Sequence, residues 1–409
     1  MPGLKVAVLV PDGAADLPLE VLDGKTPLEA ARTPNMDEIN RMGVTGTLRS
    51  VPRGMPPGSD VANLSLLGYD PESTYGGRGP VEAANLGLEV PPGWTAFRCN
   101  IVSTDGVRML DYSSGHIGQE DAGEILRALG EELDDGETRF HEGKSYRSIL
   151  MIKGEYKALE CTPPHDITGE RLDEHMPAGR GAQRVIDLME RSREVLAGLA
   201  VNERRAASGM PVVDTIWPWG QGEGIALEPF GRRFSMSGAV ISAVDLVCGL
   251  GKLAGLRTVS VPGMTGFLDT NYLGKGEAAV RVLATDDFVY VHVEAPDEAS
   301  HMGDTGEKIL AIERFDSMVV GPVLRHLSGA GDEYRLMVCP DHPTLISTRT
   351  HDASPVPFAL CGTGIPGSGA RSFCEKTAEK GNVHLEHGWK MMFYLVGAEP
   401  LLKGGYCDG

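Results

Sequence analysis

The sequence of 409 residues lacks any apolar stretch close to the roughly 20 residues that a membrane-spanning helix needs. Its first residues also lack the basic, apolar and small-residue zones of a signal peptide. We therefore expect a cytoplasmic protein with no membrane partner. Aromatic residues make up 6% of the chain and charged residues 23%, which indicates neither disorder nor a fibrous protein.

Basic residues are in the minority, at 38 against 57 acidic ones, and they form no long run. The net charge of −19 argues against a nucleic-acid partner, because a phosphate backbone binds to a basic surface. The seven cysteines are scattered and include no CxxC pair, which indicates neither a disulfide framework nor a zinc ribbon. We expect reduced and mostly buried thiols at Cys99, Cys161, Cys248, Cys339, Cys361, Cys374 and Cys407.

Three short apolar segments, rich in β-branched residues, each run into an acidic residue. The segments and acids are 5–10 with Asp12, 288–293 with Asp297, and 335–339 with Asp341. Such segments are typical of buried parallel strands, and ligands collect outside the carboxyl ends of strands in open α/β sheets. We therefore expect the three carboxylates to converge on one site, although they are far apart along the chain.

Helical patterns between these strands predict a doubly wound, mainly parallel α/β sheet. The helices are expected at 33–42, 238–253 and 305–327. The middle of the chain instead alternates strand and helix patterns without acidic strand ends, which predicts a smaller α+β domain inserted into the first. We expect a catalytic domain of residues 1–94 and 210–409, an inserted substrate or cap domain of residues 95–209, and Gly/Pro-rich hinges at 91–93 and 209–224.

The second half of the chain carries side chains that suit metal ions. Asp297 and His301 are one helical turn apart, so both can face one ion. Asp341 and His342 are adjacent after a buried strand and suit one ion, while His351, returning from a loop, suits another. A surface turn with a chance histidine is the alternative interpretation.

Ser59 is the candidate nucleophile. Gly58 allows a tight turn, and Ser59 falls at the cap of the following helix, whose N-terminal amides favour an anionic phosphate. A serine hydroxyl is a weak nucleophile at neutral pH, a difficulty that a divalent cation on its oxygen would remove. The alternative is that Ser59 serves only as a helix cap.

Together these motifs resemble those of the cofactor-independent phosphoglycerate mutases, and specifically those of the archaeal-type branch. This family belongs to the alkaline phosphatase superfamily. The motifs are Asp12 after the first strand, GSDVANLSLLGYDP at 58–71, EAPDEASH at 294–301 and PDHPT at 340–344. The resemblance implies an alkaline phosphatase-like fold and two divalent ions, one held by Asp12, Ser59, Asp341 and His342 and the other by Asp297, His301 and His351. Mn²⁺ is the usual metal of the family, and mixed nitrogen and oxygen ligands would also accept Zn²⁺, Co²⁺ or Mg²⁺.

The resemblance also implies a two-step reaction on a small phosphorylated acid. Ser59 would take the phosphoryl group of 3-phosphoglycerate, and the other hydroxyl of the retained glycerate would take it back, giving 2-phosphoglycerate. The first alternative is a metal-dependent phosphatase, or a phosphotransferase to another small hydroxyl compound in a homoserine kinase-like reaction. The second is a metal-binding protein without turnover, against which the intact nucleophile and complete ligand set argue. The oligomeric state is left open.

Further side chains are candidates for binding the substrate. A guanidinium between glycines, as at Arg78, can clamp phosphate oxygens, although a solvated loop arginine is the alternative. The full set of candidates is Arg78, Arg98, Arg147, His165, Asp166 and Lys275. Two segments depart from the family pattern: 111–117 has no arginine where the family has an arginine-rich stretch, and Ser300 and Met302 replace a glycine and a glutamate. These departures concern the substrate's carboxylate rather than the metals.

Overall fold

The structure is a computed structural model that describes residues 3–399, and no helix among those residues is long and apolar enough to cross a membrane. Its contacts divide the chain into two compact units. The first comprises Met1–Tyr75 and Leu227–Gly409, and the second comprises Gly76–Ala226. The second unit therefore begins before and ends after the segment 95–209 that the sequence led us to expect as an insert.

The described residues form short strands and helices along the whole chain. The strands are β1 (Lys5–Pro11), β2 (Val44–Leu48), β3 (Trp94–Thr104), β4 (Met109–Asp111), β5 (Thr138–Lys144), β6 (Arg147–Lys153), β7 (Thr215–Glu223), β8 (Gly238–Ile241), β9 (Arg257–Thr258), β10 (Phe288–Val293), β11 (Tyr334–Val338), β12 (Thr344–Leu345), β13 (Thr350–His351), β14 (Val356–Gly362) and β15 (Val383–Leu385). The helices are α1 (Pro27–Ala30), α2 (Pro34–Met42), α3 (Ser59–Leu66), α4 (Pro71–Thr74), α5 (Arg78–Asn85), α6 (Gln119–Leu133), α7 (Ala182–Ala197), α8 (Ala200–Ala207), α9 (Phe230–Phe234), α10 (Asp245–Leu253), α11 (Tyr272–Leu283), α12 (Ala295–Met302), α13 (Thr305–Phe315), α14 (Gly321–Gly329), α15 (Glu375–Ala378) and α16 (Met391–Leu395).

The first unit is built on an eight-stranded sheet in the order β15-β2-β14-β11-β1-β10-β8-β9. Neighbouring strands pair in parallel except at β14, which runs antiparallel to β11 and to β2. Every residue from Val6 to Val10 is buried, so both faces of β1 are covered, as expected for an apolar parallel strand. The mainly parallel α/β architecture predicted from the sequence is confirmed, and the three strands with acidic ends are neighbours in the order β11-β1-β10.

Two predictions of local structure are wrong. The segment 238–253 is not one helix, because its first residues form β8, which pairs with β10, and the helix α10 begins only at Asp245. A short buried strand and a helix segment both appear as apolar runs, so periodicity cannot separate them. The proposed hinge 209–224 contains β7, which pairs with β3 through most of its length.

The second unit contains an antiparallel sheet in which β3 lies between β6 and β7, with β5 outside β6. Its core joins sheet residues such as Ile101 and Leu150 to helix residues such as Ile125 and Leu188. The helix α5 packs against β3 and β7, which accounts for the start of this unit before residue 95. Likewise, β7 completes the sheet and extends the unit past residue 209.

The cysteines of the described residues are all free thiols, as expected. Four are buried and two are partly exposed, and Cys407 lies outside the described residues. The buried ones are Cys99, Cys339, Cys361 and Cys374.

Candidate metal centre

The expected convergence of carboxylates occurs at the carboxyl edge of the first unit's sheet. Asp12 directly follows β1, Asp297 lies in α12 directly after β10, and Asp341 lies just after β11. The parallel register aligns Pro11 with Val293, so these strands end at the same level. The sheet topology thus brings together acids from distant parts of the chain.

One group of ligands consists of Asp297, His301 and His351, whose candidate ligand atoms all lie within 4.8 Å of one another. His301 Nε2 is 3.1 Å from Asp297 Oδ2 and 3.0 Å from His351 Nε2. His301 Nδ1 donates to the carbonyl oxygen of Arg349 at 2.9 Å, which turns Nε2 toward the group. The hydrogen bond that His301 donates to the Asp297 carboxylate raises the pKa of His301 to about 9.

A second group lies beside the first and contains Asp12, Asp341 and His342, all of them buried. His342 Nε2 is 3.5 Å from Asp12 Oδ1, 3.6 Å from Asp341 Oδ2 and 3.2 Å from Ser59 Oγ. The structure therefore brings together the four residues that the resemblance implied for one ion.

The orientation of His342 follows from Thr344. The Thr344 hydroxyl donates its single hydrogen to Asp297 Oδ1 at 2.5 Å, so it accepts from His342 Nδ1 at 3.2 Å. His342 Nε2 then carries no hydrogen and directs its lone pair at Ser59 and Asp12. A lone pair in this position is what a metal ligand requires.

Ser59 is the first residue of α3, and Gly58 occupies the capping position instead. The prediction that Ser59 caps the helix is therefore wrong by one residue. Its hydroxyl is hydrogen-bonded to His342. Gly58 has an extended backbone with φ of 176°, so a tight turn is not the reason for this glycine.

Two functional candidates were missed by the sequence analysis. His292, in β10, has its Nε2 3.2 Å from Asp12 Oδ2 and 3.7 Å from Asp341 Oδ2. A histidine in an otherwise apolar strand next to an acidic strand end was the available signal. Asn63 donates to Asp341 Oδ2 at 2.7 Å and to the carbonyl oxygen of Ser59 at 2.8 Å. Its position one helical turn after Ser59 could have indicated it.

The electrostatics of the cluster fit a cation. Burial raises the pKa of Asp12 well above its usual value, and the charges of Asp341 and Asp297 raise it further. Within residues 3–399, both carboxylate oxygens of Asp12 and Nε2 of His292 are buried without a hydrogen-bond partner. Buried polar atoms are nearly always satisfied, and a bound cation satisfies oxygen and nitrogen donors together. The residues present therefore fit divalent cations.

The backbone of Gly13 packs closely against Asp297 and Thr344 at the edge of this cluster. Its φ is 61°, a left-handed conformation that favours glycine. A Cβ atom at this position would lie 2.6 Å from both Asp297 Oδ1 and Thr344 Oγ1. The close approach of the backbone to these groups therefore requires a residue without a side chain.

Lys275 was expected to bind substrate, but it has no exposed surface. Its Nζ donates to the backbone oxygen of His292 at 3.2 Å. Burial lowers the pKa of Lys275 to about 8, and the charge of Glu294 opposes that shift. The ammonium group of Lys275 therefore lies against the backbone of β10.

The remaining substrate candidates lie in the second unit, where three of them surround Trp219. The guanidinium carbons of Arg98 and Arg78 lie 4.6 and 5.4 Å from the Trp219 ring centroid, and the His165 ring lies 5.3 Å from it. Arg98 is buried and forms an ion pair with Glu82 at 3.0 Å. The structure thus brings two arginines and a histidine from separate segments around one aromatic ring.

Two further candidates adjoin this group. Arg147 opens β6, and its guanidinium lies 5.6 Å from the centroid of the Tyr146 ring. Burial lowers the pKa of Arg98 to about 10, and the positive charges of Arg78 and Arg147 contribute to the shift. Asp166 Oδ1 lies 3.5 Å from His165 Nε2.

The fold and the cluster define a class: α/β proteins with a buried group of aspartates and histidines at the carboxyl edge of a mainly parallel sheet. A family model described as 2,3-bisphosphoglycerate-independent phosphoglycerate mutase matches residues 41–202. A protein of that name from Methanothrix thermoacetophila is 47% identical over 394 residues, covering 96% of this chain and 100% of the relative. The chain belongs to the 2,3-bisphosphoglycerate-independent phosphoglycerate mutase family, as its motifs predicted.

Two solved structures are similar to this chain over nearly its whole length. A protein from Pyrococcus horikoshii matches with a TM-score of 0.81 and 27% identity, covering 99% of this chain and 100% of that one. A structure described as a cofactor-independent phosphoglycerate mutase, from Thermoplasma acidophilum, matches with a TM-score of 0.66 and 28% identity, covering 97% and 100%. Membership of this family makes the chain an enzyme of the isomerase class.

Proposed function

We propose that this enzyme interconverts 3-phosphoglycerate and 2-phosphoglycerate through a phosphoserine at Ser59. The observation that carries the proposal is the position of Ser59 Oγ, 3.2 Å from His342 Nε2 at the start of α3. The proposal is also supported by a relative with 47% identity that is named 2,3-bisphosphoglycerate-independent phosphoglycerate mutase.

We propose that two divalent cations act in this reaction. Asp297, His301 and His351 would hold one, and Asp12, Ser59, Asp341 and His342 would hold the other. When bound, the cations would lower the pKa of the serine hydroxyl and offset the negative charge of the phosphate. Mn²⁺ is our first choice, and Zn²⁺, Co²⁺ and Mg²⁺ suit the same mixed donors.

The chain's own residues hold the nucleophile in place. Because α3 begins at Ser59, its first backbone N–H groups favour an anionic phosphate beside the hydroxyl. Asn63 ties the carbonyl oxygen of Ser59 to Asp341, and the Tyr290 hydroxyl donates to Asn63 Oδ1 at 2.5 Å. A nucleophile held in this way loses little further freedom when the substrate binds.

The proposed reaction consists of two phosphoryl transfers and consumes no water. In the first step a bond forms between Ser59 Oγ and phosphorus, the bond from phosphorus to the glycerate oxygen breaks, and the serine proton ends on that oxygen. In the second step the other hydroxyl of the retained glycerate attacks phosphorus, and its proton returns to Ser59. Keeping the glycerate bound between the steps is what separates a mutase from a phosphatase.

We assign recognition of the substrate's phosphate and carboxylate to the second unit, as a substrate or cap domain. Its candidate residues are Arg78, Arg98, Arg147, His165 and Asp166. Guanidinium groups match the planar geometry of carboxylates and the oxygens of phosphates. A group of three arginines around Trp219 and Tyr146 is consistent with an anionic ligand.

The test is an assay of the Mn²⁺-supplemented enzyme with 3-phosphoglycerate that follows 2-phosphoglycerate and free phosphate together. We expect 2-phosphoglycerate from the unmodified enzyme and none from Ser59→Ala. Ser65→Ala, which changes a buried serine of the same helix, serves as the control and should remain active. Free phosphate alone would favour the phosphatase alternative, and no product with any of these metals would overturn the phosphoglycerate assignment.

A further inference from the structure

His292 lies against the candidate metal cluster, yet it belongs to none of the motifs that assign metal ligands. We propose that His292 Nε2 is a direct ligand of the cation held by Asp12 and Asp341. This inference rests on the metal-dependent function proposed above, and it adds a nitrogen donor that the motifs do not contain.

The geometry suits direct ligation. The candidate ligand atoms of Asp12, His292 and Asp341 all lie within 4.8 Å of one another, and all three side chains are buried. β10 pairs in parallel with β1, and Val10 is the partner of His292 in that register. The sheet therefore fixes the backbone of His292 beside Val10, two residues before Asp12.

The hydrogen bonds of His292 leave one ring nitrogen for a metal. Nδ1 lies 3.3 Å from Ser242 Oγ, and that hydroxyl also accepts from the backbone nitrogen of Val244 at 3.0 Å. A hydroxyl has a second lone pair, so it can accept from Nδ1 as well. That arrangement leaves Nε2 unprotonated, with its lone pair toward the carboxylates.

An unprotonated nitrogen that faces carboxylate oxygens is unfavourable unless a cation lies between them. Nε2 of His292 is 3.2 Å from Asp12 Oδ2, but among the described residues neither atom has a hydrogen-bond partner. A hydrogen bond between these two atoms would satisfy both, but the two groups are not oriented to form one. A cation satisfies both at once, because each atom then donates a lone pair to it.

Direct ligation by His292 affects which metal ion this group of residues prefers. With His292, the donors around this cation include two imidazoles, since His342 is the other. Imidazole favours Zn²⁺ and Co²⁺, whereas oxygen donors suit Mg²⁺. Loss of His292 should therefore weaken binding of Zn²⁺ and Co²⁺ far more than binding of Mg²⁺.

The experiment titrates metal-free protein with Co²⁺, followed by visible absorption and calorimetry, with Mg²⁺ in parallel. We expect His292→Gln to lose more Co²⁺ affinity than the about 10- to 100-fold that loss of an outer-shell partner costs, and to change the Co²⁺ absorption spectrum, with a smaller change for Mg²⁺. His384→Gln is the matched control, because His384 also contacts a hydroxyl, that of Thr47 at 2.9 Å, outside the cluster. Thermal unfolding of the metal-free variants establishes that each is folded.

The outcomes separate this inference from the proposed function. If the unmodified protein binds Co²⁺ and His292→Gln binds it equally well with the same spectrum, His292 is not a ligand and only this inference fails. If the unmodified protein binds no divalent metal, the proposed function fails as well.

A second measurement needs no variant. The unmodified protein is labelled with nitrogen-15 at histidine and loaded with an NMR-active cadmium isotope, and the imidazoles coupled to cadmium are counted. We expect four of the 11 histidines to be coupled, namely His292, His301, His342 and His351. Coupling of three, with the His292 resonance uncoupled, would overturn the inference even if His292→Gln failed to fold.

Discussion

Lys308 Nζ lies 2.8 Å from Asp16 Oδ2, and both side chains are wholly buried. The same ammonium group donates to the backbone oxygen of Ala15 at 3.3 Å and to that of Thr344 at 2.8 Å. Ala15 and Asp16 belong to the loop that begins at Asp12, and Thr344 belongs to the segment that begins at Asp341. One buried lysine therefore connects the two loops that carry candidate metal ligands.

We predict that Lys308→Met destabilises the protein by about 3 to 5 kcal/mol, because it leaves the Asp16 carboxylate buried without its partner. The double variant with Asp16→Asn should recover part of that loss, since it removes the unpaired charge. The measurement is the free energy of unfolding of metal-free protein in urea. Arg41→Met, which breaks an exposed pair with Glu38, is the control and should cost at most about 1 kcal/mol. A loss that small for Lys308→Met would contradict the prediction.

Gly13→Ala should reduce metal affinity, because its Cβ would lie 2.6 Å from Asp297 Oδ1 and from Thr344 Oγ1. Gly24→Ala is the matched control: Gly24 also has a positive φ, of 76°, but a Cβ there meets nothing within 4 Å. Both variants should lose roughly 1 kcal/mol of stability from the left-handed backbone. Only Gly13→Ala should weaken binding of Co²⁺ in a calorimetric titration. Equal affinities in the two variants would show that the residues around Gly13 tolerate a methyl group without loss of metal binding.

Asp297→Asn should remove one metal equivalent from the protein. The substitution keeps the size of the side chain but removes the carboxylate charge that faces His301 and His351. Glu298→Gln alters the next residue of the same helix and should keep both equivalents. Elemental analysis after dialysis against Mn²⁺ measures the content of each variant. Retention of two equivalents by Asp297→Asn would exclude this group as a metal site.

Stability should fall as the pH rises through the pKa of Glu375. Burial raises the pKa of this carboxyl from 4.5 to about 7, so the folded state holds the proton more tightly than the unfolded state. Its contribution is therefore present below pH 4.5 and is lost as the pH rises to about 7, with a total change of about 3 kcal/mol.

Glu375→Gln tests that dependence, because the amide resembles the protonated carboxyl. A carboxamide can keep contacts with the backbone nitrogen of Asp16 and the hydroxyl of Thr26, which Glu375 contacts at 3.0 and 2.6 Å. Urea unfolding at a series of pH values should give a flatter profile for the variant and a higher stability than the unmodified protein at about pH 8. Parallel profiles would assign the pH dependence to other groups.

Local patterns in the sequence were sufficient for the main strands and for several residues of the candidate cluster. β1, β10 and β11 were recognisable because buried parallel strands are continuous apolar runs. The pairing of Asp297 with His301 followed from helical spacing alone. Local patterns did not reveal β8, a short strand that is followed closely by the helix α10. They also did not reveal β7, which lies in a segment rich in glycine and proline.

The sequence by itself determined the family, the acidic strand ends and the residue types of the cluster, because these depend on neighbouring positions along the chain. Only the tertiary structure decided that His292 faces Asp12, that Lys308 joins two loops and that Lys275 is buried. The hydrogen bond between Tyr290 and Asn63 joins residues 227 positions apart, and it depends on the packing of α3 near β10. Such contacts follow from strand order and register, which short-range periodicity does not contain.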